Sequence, residues 1–308
     1  MRQEDYEMGV TKKQHYVPQF YLRGFSEASG TLAVLDKGSG AGKLYRANVR
    51  DVCEKNYLYE TPSNDPDWPA GRFVSPNYKE EMLSKEEKQF AEALKDAIDV
   101  CKQGVPSPVD TRERVAELSH FIASLIVRNP EVFPSFVSDV ISSCENSLQD
   151  CEQDAKEHGF GKVYPGLVED IAVFHMLFGK NEGSSRAAIV NDLMKMEYRF
   201  IVAPEGAAFA TSSLPASPFV QEIGGLCRLE DLYFPLSSES AIVFVRHPRV
   251  RLPSVVKADK RIVDKLNARF FDANTVRRVM ARDEQVLVDA CVHARSEWPP
   301  LSAARSMR

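Results

Sequence analysis

The side chains best equipped for chemistry crowd into residues 12–25, KKQHYVPQFYLRGF, where one histidine and four aromatics stand beside three cations. An imidazole with its ordinary pKa exchanges protons near neutral pH, which makes His15 the general acid or base of the set. Gln19 follows at a spacing that allows both side chains to face one cleft, as a polar positioner, and Lys13 and Arg23 flank them as cationic binding groups. Far along the chain, Arg128 offers the planar fork that grips a phosphate or carboxylate. Thr211, Ser212 and Ser213 offer three consecutive hydroxyls. If these groups meet, they form a phosphate-binding set with a proton-transfer group beside it. Hydrolysis would add a carboxylate, from Asp231 or Glu222, to orient the histidine or hold a divalent metal as cofactor. The plainer reading makes His15 and Gln19 hydrogen-bonded anchors of the N-terminal arm, and Arg128 a cap on helix carbonyls.

Positioning these residues falls to elements that the pattern marks out. Pro18 lacks an N–H and fixes φ, which suits a helix start, so Tyr16 and Val17 read as an extended lead-in to one or two helical turns ending near Gly24. TLAVLDKGSGAGKLYRANV alternates on both sides of a glycine-rich turn, the mark of a β-hairpin. GSGAGK is not a phosphate loop, because Lys43 leads into a strand pattern instead of opening a helix. Residues 61–78 hold four prolines and read as a loop. From 79 onward come helices: one with Met82, Phe90, Leu94 and Ile98 inward, its charged side solvated, and Gly104 as its stop. The next starts at Asp110 or Thr111, carries the stripe Leu118, Phe121, Ile122 and Leu125, and ends at Arg128. Others cover 133–158, 165–180 and 184–196. EYRFIVAP, AAFATSS, DLYFPLS and AIVFVRHP then read as antiparallel strands, and residues 257–295 close the chain as two helices. The expected fold class is α+β: a helical middle and a mostly antiparallel sheet built from the N-terminal hairpin and the C-terminal strands. One domain is expected over 1–308, its successive parts being 12–60, 79–197 and 198–295.

HYVPQFYLRGFS closely resembles the opening motif of the domain-of-unknown-function 4238 family, found mainly in bacteria. The hairpin with its Tyr57 and Tyr59 end, FIASLIVRNP, DLYFPLSSESAIVF and KLNARFFDANTVRRVM resemble later blocks of that family, so the likeness spans most of residues 11–290. Arg128 and Pro130 keep the central block, with Leu125 and Asn129 at the family's usual glutamine and threonine. Phe209, Thr211, Ser212 and Pro215 keep a later one, where Ser213 and Leu214 replace the usual aspartate and asparagine. The resemblance implies the outline of a fold and imports no activity.

Length and composition set the outer limits. Of 308 residues 44% are hydrophobic and 27% charged, enough for a sizeable core in one or two domains. No apolar run approaches the roughly 20 residues of a membrane span and no signal-peptide core opens the sequence, so a cytoplasmic protein with no membrane partner is expected. Six scattered cysteines without a C-x-x-C pair point to reduced thiols rather than a disulfide framework or zinc site. HExxH, GxSxG and GxGxxG are absent from the sequence. His15-x-x-Pro18 does not make an HNH nuclease, which needs a hairpin before its ligand-bearing helix. The net charge is −5, yet residues 246–308 hold 14 Lys and Arg against 7 Asp and Glu. That basic end either steers an anionic partner or docks on the chain's own acids, the second being favoured.

Two classes of function follow. One is a phosphodiesterase or nuclease acting on nucleic acid or a nucleotide, with His15, Gln19, Arg128, Ser212 and Ser213 as its machinery and Lys13, Arg23 and Thr211 binding. The other is a non-catalytic sensor or adaptor whose pocket takes a small anion or a protein partner. A protein-modifying or NAD-consuming transferase is neither favoured nor excluded.

Overall fold

A computed structural model describes residues 9–39, 42–63, 72–104, 110–142, 157, 166–181, 183–223, 226–246 and 254–294. The fold is α+β, with antiparallel sheets and one mixed sheet. The chain divides into two compact units that interleave along the sequence. The first contains Met1–Tyr16, Glu54–Lys88 and Val127–Ala188; the second contains Val17–Cys53, Gln89–Ile126 and Ile189–Arg308.

In the first unit a short ribbon pairs β1 (Lys13–His15) with β4 (Glu54–Asn56), antiparallel, with His15 opposite Glu54. The strand thus ends at His15, ahead of the Tyr16–Val17 lead-in expected from sequence. The long helix α2 (Tyr78–Gln103) begins here, a further helical run covers 133–142, and α4 (Leu167–Phe178) starts behind Gly166. The rest of the helix expected over 133–158 lies, apart from Glu157, outside the described residues. Tyr59, Phe73, Leu83, Val173, Met176 and Leu177 supply the buried apolar side chains. The first turn of α2 corrects the expectation of a solvated charged side: Lys79 is 1% exposed, held inside by a carboxylate partner. A buried ammonium requires such a partner.

In the second unit, Pro18 caps α1 (Gln19–Leu22) from an extended conformation, and a 3-10 turn at Arg23–Phe25 follows. The expected hairpin is β2 (Thr31–Asp36) and β3 (Lys43–Asn48), antiparallel from Thr31–Asn48 to Asp36–Lys43. Gly42 takes φ +76° in its turn, a conformation glycine adopts without Cβ strain. The hairpin belongs to a four-stranded sheet of order β3-β2-β11-β6, in which β11 (Arg278–Ala281) pairs with both β2 and β6 (Thr211–Ser212). β11 is a correction. The closing block is helical in α6 (Lys260–Asp272) and α7 (Glu284–Ala294), but the segment between them is a strand, because RVMA presents Val279 and Met280 to a buried sheet. The second sheet has the order β10-β5-β9-β8-β7, formed by β5 (Glu197–Val202), β7 (Ser217–Ile223), β8 (Leu226–Pro235), β9 (Ser240–Val245) and β10 (Val255–Lys257). Only β10 runs parallel to its neighbour, β5.

Two helices complete the second unit, α3 (Asp110–Val127, through Ile126) and α5 (Ser185–Met194, from Ile189). Along α2 the inward positions here are Phe90, Ala93, Leu94, Ala97 and Val100, whereas Ile98 is half-buried. The apolar stripe of α3 is buried as expected, and its Phe121 meets Phe20, Tyr21, Phe90 and Phe234 at centroid distances of 5.2–5.9 Å. Asn267 of α6 ties the helix to the β5–β6 connection, accepting from the Ala210 N–H (2.8 Å) and donating to the Ala208 carbonyl (2.9 Å).

Candidate functional sites

The first group forms where α3 gives way to Arg128, whose side chain is 2% exposed. Burial alone would drive the guanidinium to lose its charge, so every arm must find an acceptor. Nε donates to the Tyr59 hydroxyl (3.1 Å), Nη1 to Glu87 (2.9 Å) and Nη2 to the backbone carbonyl of His15 (2.7 Å). The guanidinium carbon also lies 5.7 Å from the centre of the Tyr59 ring. Burial opposes the Arg128 charge, but Tyr59 and Glu87 more than offset it and raise the pKa further. The same burial pushes the Tyr59 phenol up to about 12, against the pull of Arg128. Gln14 completes the arrangement: its Oε1 accepts from the Tyr59 N–H and its Nε2 donates to Glu60. Arg128 therefore grips the opening motif by its main chain, and its fork is spent inside the protein.

His15 is half-buried beside this group, and Lys13 is exposed with a 3.3 Å ion pair to Glu54. Glu80 lies close enough to Arg128, Glu87 and Glu60 to feel all three charges. Desolvation raises its carboxyl to about 7, Arg128 opposing and the two glutamates adding to the rise. Its buried Oε2 has no hydrogen-bond partner, and neither has Oε2 of Glu60, whose pKa burial also raises.

The hydroxyl triplet belongs to the second unit, as do Gln19, half-buried, and Arg23, exposed. Thr211 Oγ1 is bonded to the Tyr21 hydroxyl (2.9 Å), which also donates to the Pro235 carbonyl (2.8 Å). Ser212 Oγ donates to the Leu214 carbonyl at 2.6 Å. Ser213 Oγ accepts the N–H groups of Arg277 and Arg278 at 3.0 and 3.1 Å, tying its loop to β11. The sequence-derived set is thus divided: His15 and Arg128 meet in the first unit, and Gln19 and the three hydroxyls lie in the second. Of the substitute acids, Asp231 accepts from Arg269 (2.6 Å), and the Glu222 side chain lies outside the described ones. Among the described residues no group of three or more His, Cys, Asp or Glu side chains is placed to hold a metal ion.

Sequence reasoning passed over a cavity of about 410 Å³ in the second unit. Arg112 near the start of α3, Glu197, Tyr198 and Arg199 of β5, and Ser254 line its polar side; Val115, Leu193, Met194 and Met196 line the rest. Arg199 is partly engaged, with Glu197 (2.7 Å) and the Tyr198 carbonyl (2.6 Å). Arg112 is exposed and makes no hydrogen bond to another described residue. Burial raises the Tyr198 phenol above its ordinary pKa, while the guanidiniums of Arg112 and Arg199 pull the other way. No spacing rule joins Arg112 to Tyr198, since the pairing exists only through the packing of α3 on β5.

A family model described as "Protein of unknown function (DUF4238)" matches residues 13–285. The chain belongs to the DUF4238 family. No curated protein and no solved structure matches it. Within this DUF4238 chain, position 213 supplies an acceptor for two adjacent N–H groups, a role open to a hydroxyl or a carboxylate. No helix among the described residues is long and apolar enough to cross a membrane.

Proposed function

We propose that this DUF4238 protein acts as a sensor or adaptor that recognises a small organic anion, without turning it over, in the pocket between α3, α5 and β5. The observation that carries the reading is the uncommitted guanidinium of Arg112, which lines the pocket together with Arg199 and Tyr198. Two guanidiniums and two hydroxyls suit a phosphate or carboxylate, and the Leu193, Met194 and Met196 side suits an apolar body attached to it. Hydrolysis of a phosphodiester would instead call on Arg128 and the hydroxyls of 211–213, whose hydrogen-bonding capacity is used within the fold. Recognition is therefore preferred to catalysis.

Calorimetric titration of the full chain with nucleoside monophosphates, inorganic phosphate and benzoate tests this. Binding of an organic anion is expected, weakened by salt. Arg112→Ala should weaken it about 10- to 100-fold, the worth of a charge-assisted hydrogen bond. Heat with none of the probes, or identical affinities for wild type and Arg112→Ala, would remove the proposal.

A further inference from the structure

A second centre lies in the first unit and is independent of the anion pocket. Ser75, in the turn before α2, donates its hydroxyl proton to Asp170 Oδ2 at 2.8 Å. Lys79 Nζ donates to the same Ser75 oxygen at 3.1 Å and to Asp170 Oδ1. The serine oxygen thus has a carboxylate directed at its proton and an ammonium directed at its lone pair. Asp170 closes the triangle by fixing Lys79 in place. Nucleophile, proton acceptor and orienting group within hydrogen-bond reach make the pattern of an activated nucleophile. Lys79 is 1% exposed and Asp170 is 8% exposed, so both are rigidly held, whereas Ser75 is only half-buried and meets solvent. Ser75 also precedes the positive end of a 26-residue helix, which favours negative charge on its oxygen.

We propose that Ser75, Lys79 and Asp170 form a nucleophilic centre that cleaves neutral esters bearing an apolar acyl group. The surroundings select that class. The first turns of α2 and α4 carry Glu80, Glu81, Glu169 and Asp170, which repel a phosphodiester but not an uncharged carbonyl. Tyr78, one residue before Lys79, is 49% exposed and stacks on Phe174, one turn beyond Asp170, at 5.8 Å. Ile171 next to Asp170 is 57% exposed. These side chains form an apolar seat for the acyl chain beside the nucleophile.

In the reaction Ser75 Oγ bonds to the carbonyl carbon as its proton passes to Asp170 Oδ2. Lys79 stays protonated and stabilises charge on the oxygen. The ester C–O bond then breaks, and the proton on Asp170 goes to the departing alkoxide, which leaves as an alcohol. Water attacks the acyl-serine, giving one proton to Asp170. That proton returns to Ser75 as the carboxylic acid departs.

The full chain is treated with a fluorophosphonate probe and the labelled site mapped by mass spectrometry, with exposed Ser29 as internal reference. Release of p-nitrophenol from p-nitrophenyl butyrate is followed in parallel. The expected result is modification of Ser75 about 10-fold or more faster than Ser29, and a p-nitrophenol burst absent from Ser75→Ala. Asp170→Asn should slow both by about 100-fold or more, and Lys79→Arg should slow both as well. Wild-type protein with native circular dichroism that labels Ser75 no faster than Ser29, or labels elsewhere, overturns the proposal whatever the variants do. The anion titration does not depend on this result, since its residues lie in the other unit.

Discussion

At neutral pH the carboxyl of Glu80 stands midway between its charged and neutral forms, because burial opposes the charge and Glu87 and Glu60 add repulsion that Arg128 only partly offsets. The native state holds this proton up to about pH 7, whereas the unfolded chain releases it near the ordinary carboxylate value of 4.5. Between those values the native state binds more protons, so Glu80 contributes a loss of stability as pH rises through the window, levelling off above it. Glu60 shifts in the same direction and has the same sign. Glu80→Gln keeps the shape and removes the titration. The variant should melt about 2–5 °C above wild type near pH ~8, with the gap closing toward pH ~5. Melting curves across that range check it; a gap that widens on acidification would mean that the Arg128 attraction outweighs burial. At this scale the sequence told less than half of what mattered. His15 and Arg128 were singled out and do meet, but through a backbone carbonyl, which no side-chain pattern announces. Ser75 and Lys79 were in plain view four residues apart, yet Asp170, which gives the pair its meaning, lies 95 positions from Ser75.

Elements were more legible, because their causes are local. The hairpin followed from glycines between alternating strands, and α2 and α3 from apolar periodicity with stop signals at Gly104 and Arg128. β11 and β10 escaped notice because a strand of three or four residues is defined by its neighbours: β11 exists through β2 and β6, β10 through β5. The start of α4 shows how one backbone position fixes an element. Gly166 takes φ +85°, and a Cβ there would stand 2.3 Å from the Pro62 carbonyl oxygen. That neighbour is main chain and cannot rotate aside, so clash and left-handed strain add. Gly166→Ala should lower unfolding free energy by roughly 2–4 kcal/mol, read from urea midpoints at constant slope. Gly183→Ala is the control, with positive φ but nothing within 4 Å of a Cβ, and should cost about 1 kcal/mol. Equal losses would show that strain alone, without the Pro62 contact, sets the start of α4.

Across the whole molecule the question is what the basic C-terminal end, residues 246–308, does with its charge. Much of it is already paired within the second unit: Arg246 with Asp192 (3.2 Å), Arg269 with Asp231 (2.6 Å), Arg278 with Asp36 (3.3 Å), and Lys260 with Asp264 and Asp289. Three of these partners, Asp36, Asp192 and Asp231, lie outside the basic end, so part of its excess is neutralised by the chain's own acids. A nucleic-acid-binding face needs cations left free to replace counterions along the phosphate backbone, and each one adds to the salt dependence. With a net charge of −5 as well, long-range attraction to a polyanion is weak. Fluorescence anisotropy with duplex DNA or RNA at ~150 mM salt should therefore show no saturation up to about 10 μM protein, and a log–log salt slope shallower than about −2 in dilute buffer. Asp36→Asn and Asp192→Asn release Arg278 and Arg246 and should steepen that slope by about one each. A steep slope in wild type, or none gained on releasing the arginines, would mean that internal pairing is not what silences the basic end.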